Sequence, residues 1–155
     1  MTARRALLAI DQFAGGRQAV AFAVSMAPPL ECNVYVHHLI EFIRGARATL
    51  ETRGEAAALV NDAVLALQIA GAGASGEYHG APTHRVGQAI ALRAETIGAD
   101  VIVLGSERRR GFGRLASRGV REQVVRATSL PVLVAPAAMP VRPEGANRVH
   151  ARRPH

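Results

Sequence analysis

The sequence predicts an α/β fold: a single doubly wound domain in which a five-stranded parallel sheet carries helices on both faces. Short strand-like runs alternate with segments whose apolar residues recur at helical spacing. Strict alternation favours parallel strands joined by right-handed crossovers. The chain has 155 residues, which suits one domain, and 49% of them are hydrophobic but only 4% are aromatic. Aliphatic side chains must therefore fill the core.

The amino-terminal part is predicted to contain two strands and two helices. The run "RALLAI" at 5–10 is typical of a central parallel strand. A helix is predicted at 17–27, where two prolines follow and stop it. The β-rich run "NVYVHHLI" at 33–40 predicts the second strand, and the tract 44–72 keeps a period near 3.6, which predicts a long helix.

The remaining elements follow in the same alternating order. The segment 75–82 is polar, which suits a strand at the sheet edge, and Thr83 is predicted to cap the next helix, with Gly98 near its end. The last three elements are a buried strand at 100–105, a helix at 121–128 and a strand at 130–136. Ligands of such sheets bind beyond the carboxyl ends of the strands, here residues 11–13, 38–41 and 105–119.

Positive charge is concentrated in two segments. All 19 basic residues are arginine, and the formal net charge is +7. Residues 105–126 contain seven arginines and two glutamates, a net +5, and residues 138–155 contain four arginines and one glutamate, a net +3. This distribution suits either an anionic partner at the 105–119 loop or a solvated basic face. We expect a domain at 1–137 and a disordered Pro- and Arg-rich tail at 138–155.

The composition also excludes several classes of protein. Cys32 is the single cysteine, which excludes an internal disulfide and a cysteine-based metal cluster. The first eleven residues lack the apolar core of a secretory signal, and no apolar run has the length of a membrane span. We therefore expect a cytoplasmic protein that does not enter the membrane.

The histidines do not form a recognisable metal site. His37 and His38 are adjacent on a strand, so their side chains point to opposite faces. We expect one to pack in the core and the other to be exposed at the sheet end. His79 and His84 flank a strand-to-helix junction without a carboxylate or cysteine at metal spacing. The chain also lacks a nucleophile elbow, a Walker A motif and a dinucleotide-binding pattern, so no catalytic residue is predicted.

The block "DVIVLGSERRRGFGRLASRGVREQVVRATSLPVLVAP" at 100–136 resembles the carboxyl half of the universal stress protein family. The family's motif is a strand ending in Gly, then Gly-x-x-Gly, nine residues, Gly-(Ser/Thr), a helix and a final "PVLVV"-like strand. "RALLAID" at 5–11 also resembles the family's first strand, and the similarity extends over about 4–137. It implies the strand order 3-2-1-4-5 and a homodimer formed through the last strand, 130–136. Some members bind ATP and others do not.

The resemblance matches three residues of this chain to positions of the family pattern. Asp11 matches the aspartate at the end of the first strand, a residue that could contact adenosine or a nucleotide-bound metal. Leu39 matches the apolar residue near the adenine, and Gly105 matches the first motif glycine. From the residues alone, Asp11 could equally cap the helix that starts near Gly15.

The other motif positions depart from the family pattern. The second motif glycine falls on Arg108, and the Gly-(Ser/Thr) pair falls on Arg118 and Gly119, so one of three glycines is kept and the hydroxyl is absent. Glycines let backbone amides approach phosphate oxygens, and the helix start at Gly119 and Val120 adds free N–H groups. Arginines could block the phosphates or grip them bidentately. Because two positions changed together, we expect blocking.

The sequence thus favours a non-catalytic regulatory or stress-response dimer with an impaired adenine-nucleotide pocket and no required cofactor. One alternative is a functional ATP-binding member, with magnesium, in which the arginines contact the phosphates. Another is a basic protein that binds nucleic acid non-specifically through the loop and tail. Specific nucleic-acid recognition is not expected, since stacking aromatics are not interleaved with the arginines apart from Phe112.

Overall fold

The computed structural model describes residues 4–45, 49, 51–105 and 119–136. These residues form five strands and four α-helices in strict alternation. In chain order they are β1 (Arg5–Ile10), α1 (Ala14–Met26), β2 (Asn33–Phe42), α2 (Arg53–Ile69), β3 (Ala74–Pro82), α3 (Val86–Thr96), β4 (Val101–Leu104), α4 (Val120–Ala127) and β5 (Val132–Val134). The strands form one parallel sheet in the order β3-β2-β1-β4-β5. The predicted fold class and strand order are confirmed.

The centre of the sheet is apolar on both of its faces. In β1, Leu7 and Leu8 point to opposite faces and both are fully buried, as expected for a strand that helices cover on two sides. Leu8 belongs to the core beneath α1 and α2, and Leu7 to the core beneath α3 and α4. Burying each such side chain contributes about 2 kcal/mol. The strand β3 at the sheet edge is mostly polar or half-buried, as its sequence predicted.

Helix α2 begins nine residues later than its period predicted. The prediction of helix from residue 44 is wrong, because β2 continues to Phe42 and the helix starts at Arg53. A capping box sets this start: the Thr52 hydroxyl accepts a hydrogen bond from the Glu55 N–H at 3.2 Å, and the Glu55 carboxylate accepts one from the Thr52 N–H at 2.7 Å. The hydrogen bonds from the backbone and the hydroxyl of Thr52 lower the pKa of Glu55.

The predicted capping role of Thr83 is wrong. Residues Thr83–Arg85 form a short 3-10 turn, and α3 starts after Arg85, which makes no side-chain cap. The Thr83 hydroxyl instead donates to the Phe42 carbonyl at 3.4 Å, so it ties the end of β3 to the end of β2. Gly98, with φ +65, lies just after α3, where a left-handed residue ends a helix.

Helix α3 and helix α4 pack closely because residue 87 has no side chain. A Cβ atom on Gly87 would lie 2.2 Å from the Cβ of Gln123. The Gln123 side-chain oxygen also accepts a hydrogen bond from the Gly87 N–H at 3.1 Å. This contact fixes the position of α4, which begins directly after Gly119. In the described part of the chain, no helix is both long enough and apolar enough to cross a membrane.

Candidate functional site

Asp11 lies at the carboxyl end of β1 and caps helix α1. Its Oδ1 accepts hydrogen bonds from the N–H groups of Phe13 at 2.8 Å and Gly16 at 3.1 Å. Phe13 precedes the helix and offers no side-chain acceptor, so Asp11 supplies the acceptor that the first-turn N–H groups require. A carboxylate also suits the positive end of the helix dipole. The capping role is observed, whereas the predicted ligand contact of Asp11 stays a prediction.

Gly105 brings the end of β4 against the first turn of α1. A Cβ atom at residue 105 would lie 2.1 Å from the Gly15 carbonyl oxygen, and one at Gly16 would lie 2.1 Å from the Asp11 carbonyl oxygen. Real Cβ atoms do not approach backbone atoms so closely, so both positions require glycine. The ends of β1 and β4 and the start of α1 therefore meet at one place. We call it the ligand-facing edge, because ligands of parallel sheets are expected beyond such strand ends.

Gly119, unlike Gly105 and Gly16, lies where the described structure would accept a side chain. It precedes α4 with φ −51 and ψ 152, a conformation open to any residue. Among the described residues, no atom lies within 4 Å of a Cβ built there. Its carbonyl accepts from the N–H groups of Glu122 and Gln123, which starts the helix at Val120. The folded framework does not itself require glycine at this position.

Leu39 is a core residue. Its side chain is 8% exposed and packs in the core beneath α3 and α4, together with Leu7 and Val86. Its predicted place beside an adenine ring stays a prediction. Arg108 and Arg118, which the family resemblance matches to motif positions, lie outside the described residues, as does the 138–155 tail.

A buried pair that the sequence did not predict lies at the ligand-facing edge. The imidazole of His38 contacts the Ile10 carbonyl through Nδ1 at 2.9 Å and Glu51 Oε2 through Nε2 at 2.7 Å. His38 is 3% exposed and Glu51 7%. His37 is equally buried, so the expectation that one of the two adjacent histidines is exposed is wrong. The sequence signal that could have indicated this pair was Glu51, a carboxylate directly before the Thr52 capping box.

A second polar cluster lies on the α3 side of the sheet. His37 Nε2 lies 3.3 Å from His79 Nδ1, and the Arg93 guanidinium donates to the Tyr35 hydroxyl and pairs with Glu77. Burial, together with the nearby charges of His79 and Arg93, lowers the pKa of His37 to about 4. His37 is therefore neutral at neutral pH.

The second cluster does not suit a metal ion. Nδ1 of His37 is buried without a hydrogen-bond partner among the described residues. A metal on Nε2 would force a proton onto that Nδ1, whereas ligand histidines almost always donate their second N–H to an acceptor. Within the described ranges, no group of three or more histidine, cysteine, aspartate or glutamate side chains could hold a metal ion.

Solved structures of known proteins share this fold. The chain is similar to a universal stress family protein from Burkholderia pseudomallei, with 19% identity, a TM-score of 0.68 and coverage of 86% of this chain and 96% of that one. It is also similar to the universal stress protein from Archaeoglobus fulgidus in complex with dAMP, with 22% identity, a TM-score of 0.63 and coverage of 86% and 97%.

A plant protein extends the comparison. A universal stress family protein from Arabidopsis thaliana, with AMP bound, has 14% identity, a TM-score of 0.62 and coverage of 84% of this chain and 90% of that one. At these identities the solved structures show the fold alone. No curated protein sequence matches the chain significantly. Residues 2–136, however, match the profile of the Universal stress protein family. The chain therefore belongs to the universal stress protein family.

Proposed function

We propose that this protein is a stress-response module that acts by binding rather than by catalysis, and that Arg108 and Arg118 impair its adenine-nucleotide pocket. The relatives from Archaeoglobus fulgidus and Arabidopsis thaliana hold adenine nucleotides on the same fold. In this chain the corresponding segment of the sequence runs from Gly105 to Gly119, between the end of β4 and the start of α4. A parallel sheet binds its ligands at such strand ends.

The observation that carries the proposal is the replacement of two motif glycines by arginine. Amides of a phosphate loop reach the phosphates because glycine presents bare backbone, whereas each arginine adds a long side chain at that place. The glycine that is kept, Gly105, is required by the close approach of the Gly15 carbonyl. Its retention is thus accounted for by packing alone and does not argue for nucleotide binding.

The hydrogen bonds that Asp11 accepts support a role of the protein in binding rather than in catalysis. The Oδ1 of Asp11 accepts hydrogen bonds from the N–H groups of Phe13, just before α1, and Gly16, in its first turn, so this oxygen stabilises the fold at the ligand-facing edge. Glu51, a second carboxylate near this edge, forms a hydrogen bond with His38. A general base has to be within hydrogen-bond reach of the proton that it removes, and these two carboxylates already contact protein donors.

A functional ATP site is the alternative, favoured by the chemistry of the same two residues. Guanidinium groups bind phosphate oxygens with paired, charge-assisted hydrogen bonds. In this alternative Arg108 and Arg118 contact the phosphates of magnesium-bound ATP in place of glycine amides. The two proposals predict opposite effects of the same substitution.

Calorimetric titration of Mg-ATP into the full chain tests the proposal. We expect no saturable heat for the unmodified protein and restored binding for the double variant Arg108→Gly/Arg118→Gly. The control Arg109→Gly/Arg110→Gly removes the same charge from non-motif positions of the same loop and is expected to leave binding absent. Micromolar binding by the unmodified protein that Arg108→Gly weakens would instead establish the ATP-binding alternative.

A further inference from the structure

We propose that Glu51 is a positioning residue for the ligand-facing edge: acting through His38, it holds the end of β1 and so sets the place of Asp11. We call the path from the Glu51 carboxylate through the His38 imidazole to the Ile10 carbonyl the edge relay. The effect on a ligand rests on the proposed function, whereas the coupling between Glu51 and Asp11 does not.

Hydrogen-bond chemistry determines where the protons of the edge relay lie. The Ile10 carbonyl can only accept, so Nδ1 of His38 carries a hydrogen and donates it across 2.9 Å. A second hydrogen must lie between His38 Nε2 and Glu51 Oε2, because two lone pairs would not face each other at 2.7 Å. Both ring nitrogens of His38 are thus satisfied only when Glu51 is present.

Burial makes the relay sensitive to the loss of Glu51. With 3% of His38 and 7% of Glu51 exposed, solvent does not replace a missing partner without rearrangement. Removal of the carboxylate leaves Nε2 of a buried imidazole without its partner. The ring then turns or admits water, and in either case its hold on the Ile10 carbonyl is weakened.

The relay continues into helix α1 through the next residue. Asp11 follows Ile10, and its Oδ1 accepts from the N–H groups of Phe13 and Gly16. A shift of the Ile10 carbonyl therefore moves the carboxylate that caps α1 and that the family resemblance assigns to the ligand. Each step is a covalent bond or a hydrogen bond of 3.1 Å or less.

The edge relay is separate from the capping box that starts α2. Thr52 and Glu55 form the capping box of α2 through their own hydrogen bonds, and Glu51 takes no part in them. Loss of the capping box should disturb the first turn of α2, whereas loss of Glu51 should disturb β1 and α1. This difference supplies a matched control.

Three variants of the full chain test the relay by amide hydrogen exchange and NMR. In Glu51→Ala we expect exchange at the Phe13 and Gly16 amides to accelerate roughly tenfold or more, as for loss of a buried hydrogen-bond partner. Glu51→Gln should restore near-normal exchange, since its amide N–H can donate to Nε2 of a neutral His38. Glu55→Ala should change α2 amides and leave Phe13 and Gly16 unchanged.

A Glu51→Ala variant that leaves Phe13 and Gly16 unchanged would overturn the proposal, as would a Glu55→Ala variant with the same effect. If Glu51→Ala does not fold, the ¹⁵N chemical shifts of the His38 ring in the unmodified protein still test the proposal, because they show which ring nitrogen carries a proton. We expect a protonated Nδ1, and a ring protonated only on Nε2 would refute the relay. When Glu51→Ala is added to the Arg108→Gly/Arg118→Gly double variant, it should weaken Mg-ATP binding. If the double variant itself binds no Mg-ATP, the proposed function is refuted, but the amide-exchange test of the relay still holds.

Discussion

The family resemblance matches Gly105 to a motif glycine, yet its own surroundings explain why it is glycine. An added Cβ would meet the Gly15 carbonyl oxygen at 2.1 Å and its carbon at 2.5 Å, and both are backbone atoms that cannot turn away. We expect Gly105→Ala to lower the free energy of unfolding by about 2 kcal/mol, the usual cost of overpacking. Denaturant unfolding measures this change without any nucleotide present.

Gly119→Ala is the matched control for this substitution. No described atom lies within 4 Å of its added Cβ, and its φ of −51 is open to alanine. Its effect on stability should stay below about 1 kcal/mol, because lost helix-start preference and reduced unfolded-state freedom oppose each other. If both variants unfold alike, packing against Gly15 is not the reason for glycine at position 105.

His37 makes the stability of the protein depend on pH. Burial lowers its pKa from 6.5 in the unfolded chain to about 4 in the folded protein. Between these values the unfolded chain binds a proton that the folded protein does not. The free energy of unfolding should therefore fall as pH falls through this window, by on the order of 3 kcal/mol.

The substitution His37→Gln removes this titration. Unfolding curves at pH 7.5 and pH 4.5 compare each protein with itself, so a constant packing cost of the substitution cancels. We expect a smaller loss of stability on acidification in the variant than in the unmodified protein. Equal losses would show that His37 does not titrate below its ordinary range.

At the scale of elements, periodicity predicted what depends on burial and missed what depends on particular hydrogen bonds. The strand β1 was predicted with its observed bounds, because its apolar run is covered on both faces. The start of α2 was not, since residues 44–52 lack strong helix breakers apart from glycine, and the true signal was the spacing of Thr52 and Glu55. A period reports which face is buried, whereas a cap depends on one side chain meeting one N–H group.

The candidate site shows the same division. The position of Asp11 could be predicted, because it follows a strand whose end is plain in the sequence. The edge relay could not, since His38 meets a carbonyl 28 residues away and a carboxylate 13 residues away. Only the parallel pairing of β1 with β2, which places Ile10 beside His38, brings these groups together.

At the scale of the whole molecule, the outermost strand β5 suggests how two copies associate. Among the described residues β5 pairs only with β4, and Leu133 in its middle is 46% exposed. An unpaired edge strand with an exposed apolar side chain invites pairing with another strand. We propose that two copies form a homodimer through β5, in line with what the family resemblance implies.

Leu133→Lys should convert this dimer to a monomer, because a charge on the edge strand opposes pairing with a second copy. Light scattering after size exclusion should give twice the 16.4 kDa chain mass for the unmodified protein and the single mass for the variant. Leu65→Lys is the control: Leu65 is 55% exposed on α2, which packs over β2 and β3 at the other end of the sheet. It should remain a dimer. A monomeric unmodified protein, or a Leu133→Lys variant that stays dimeric, would show that β5 is not the interface.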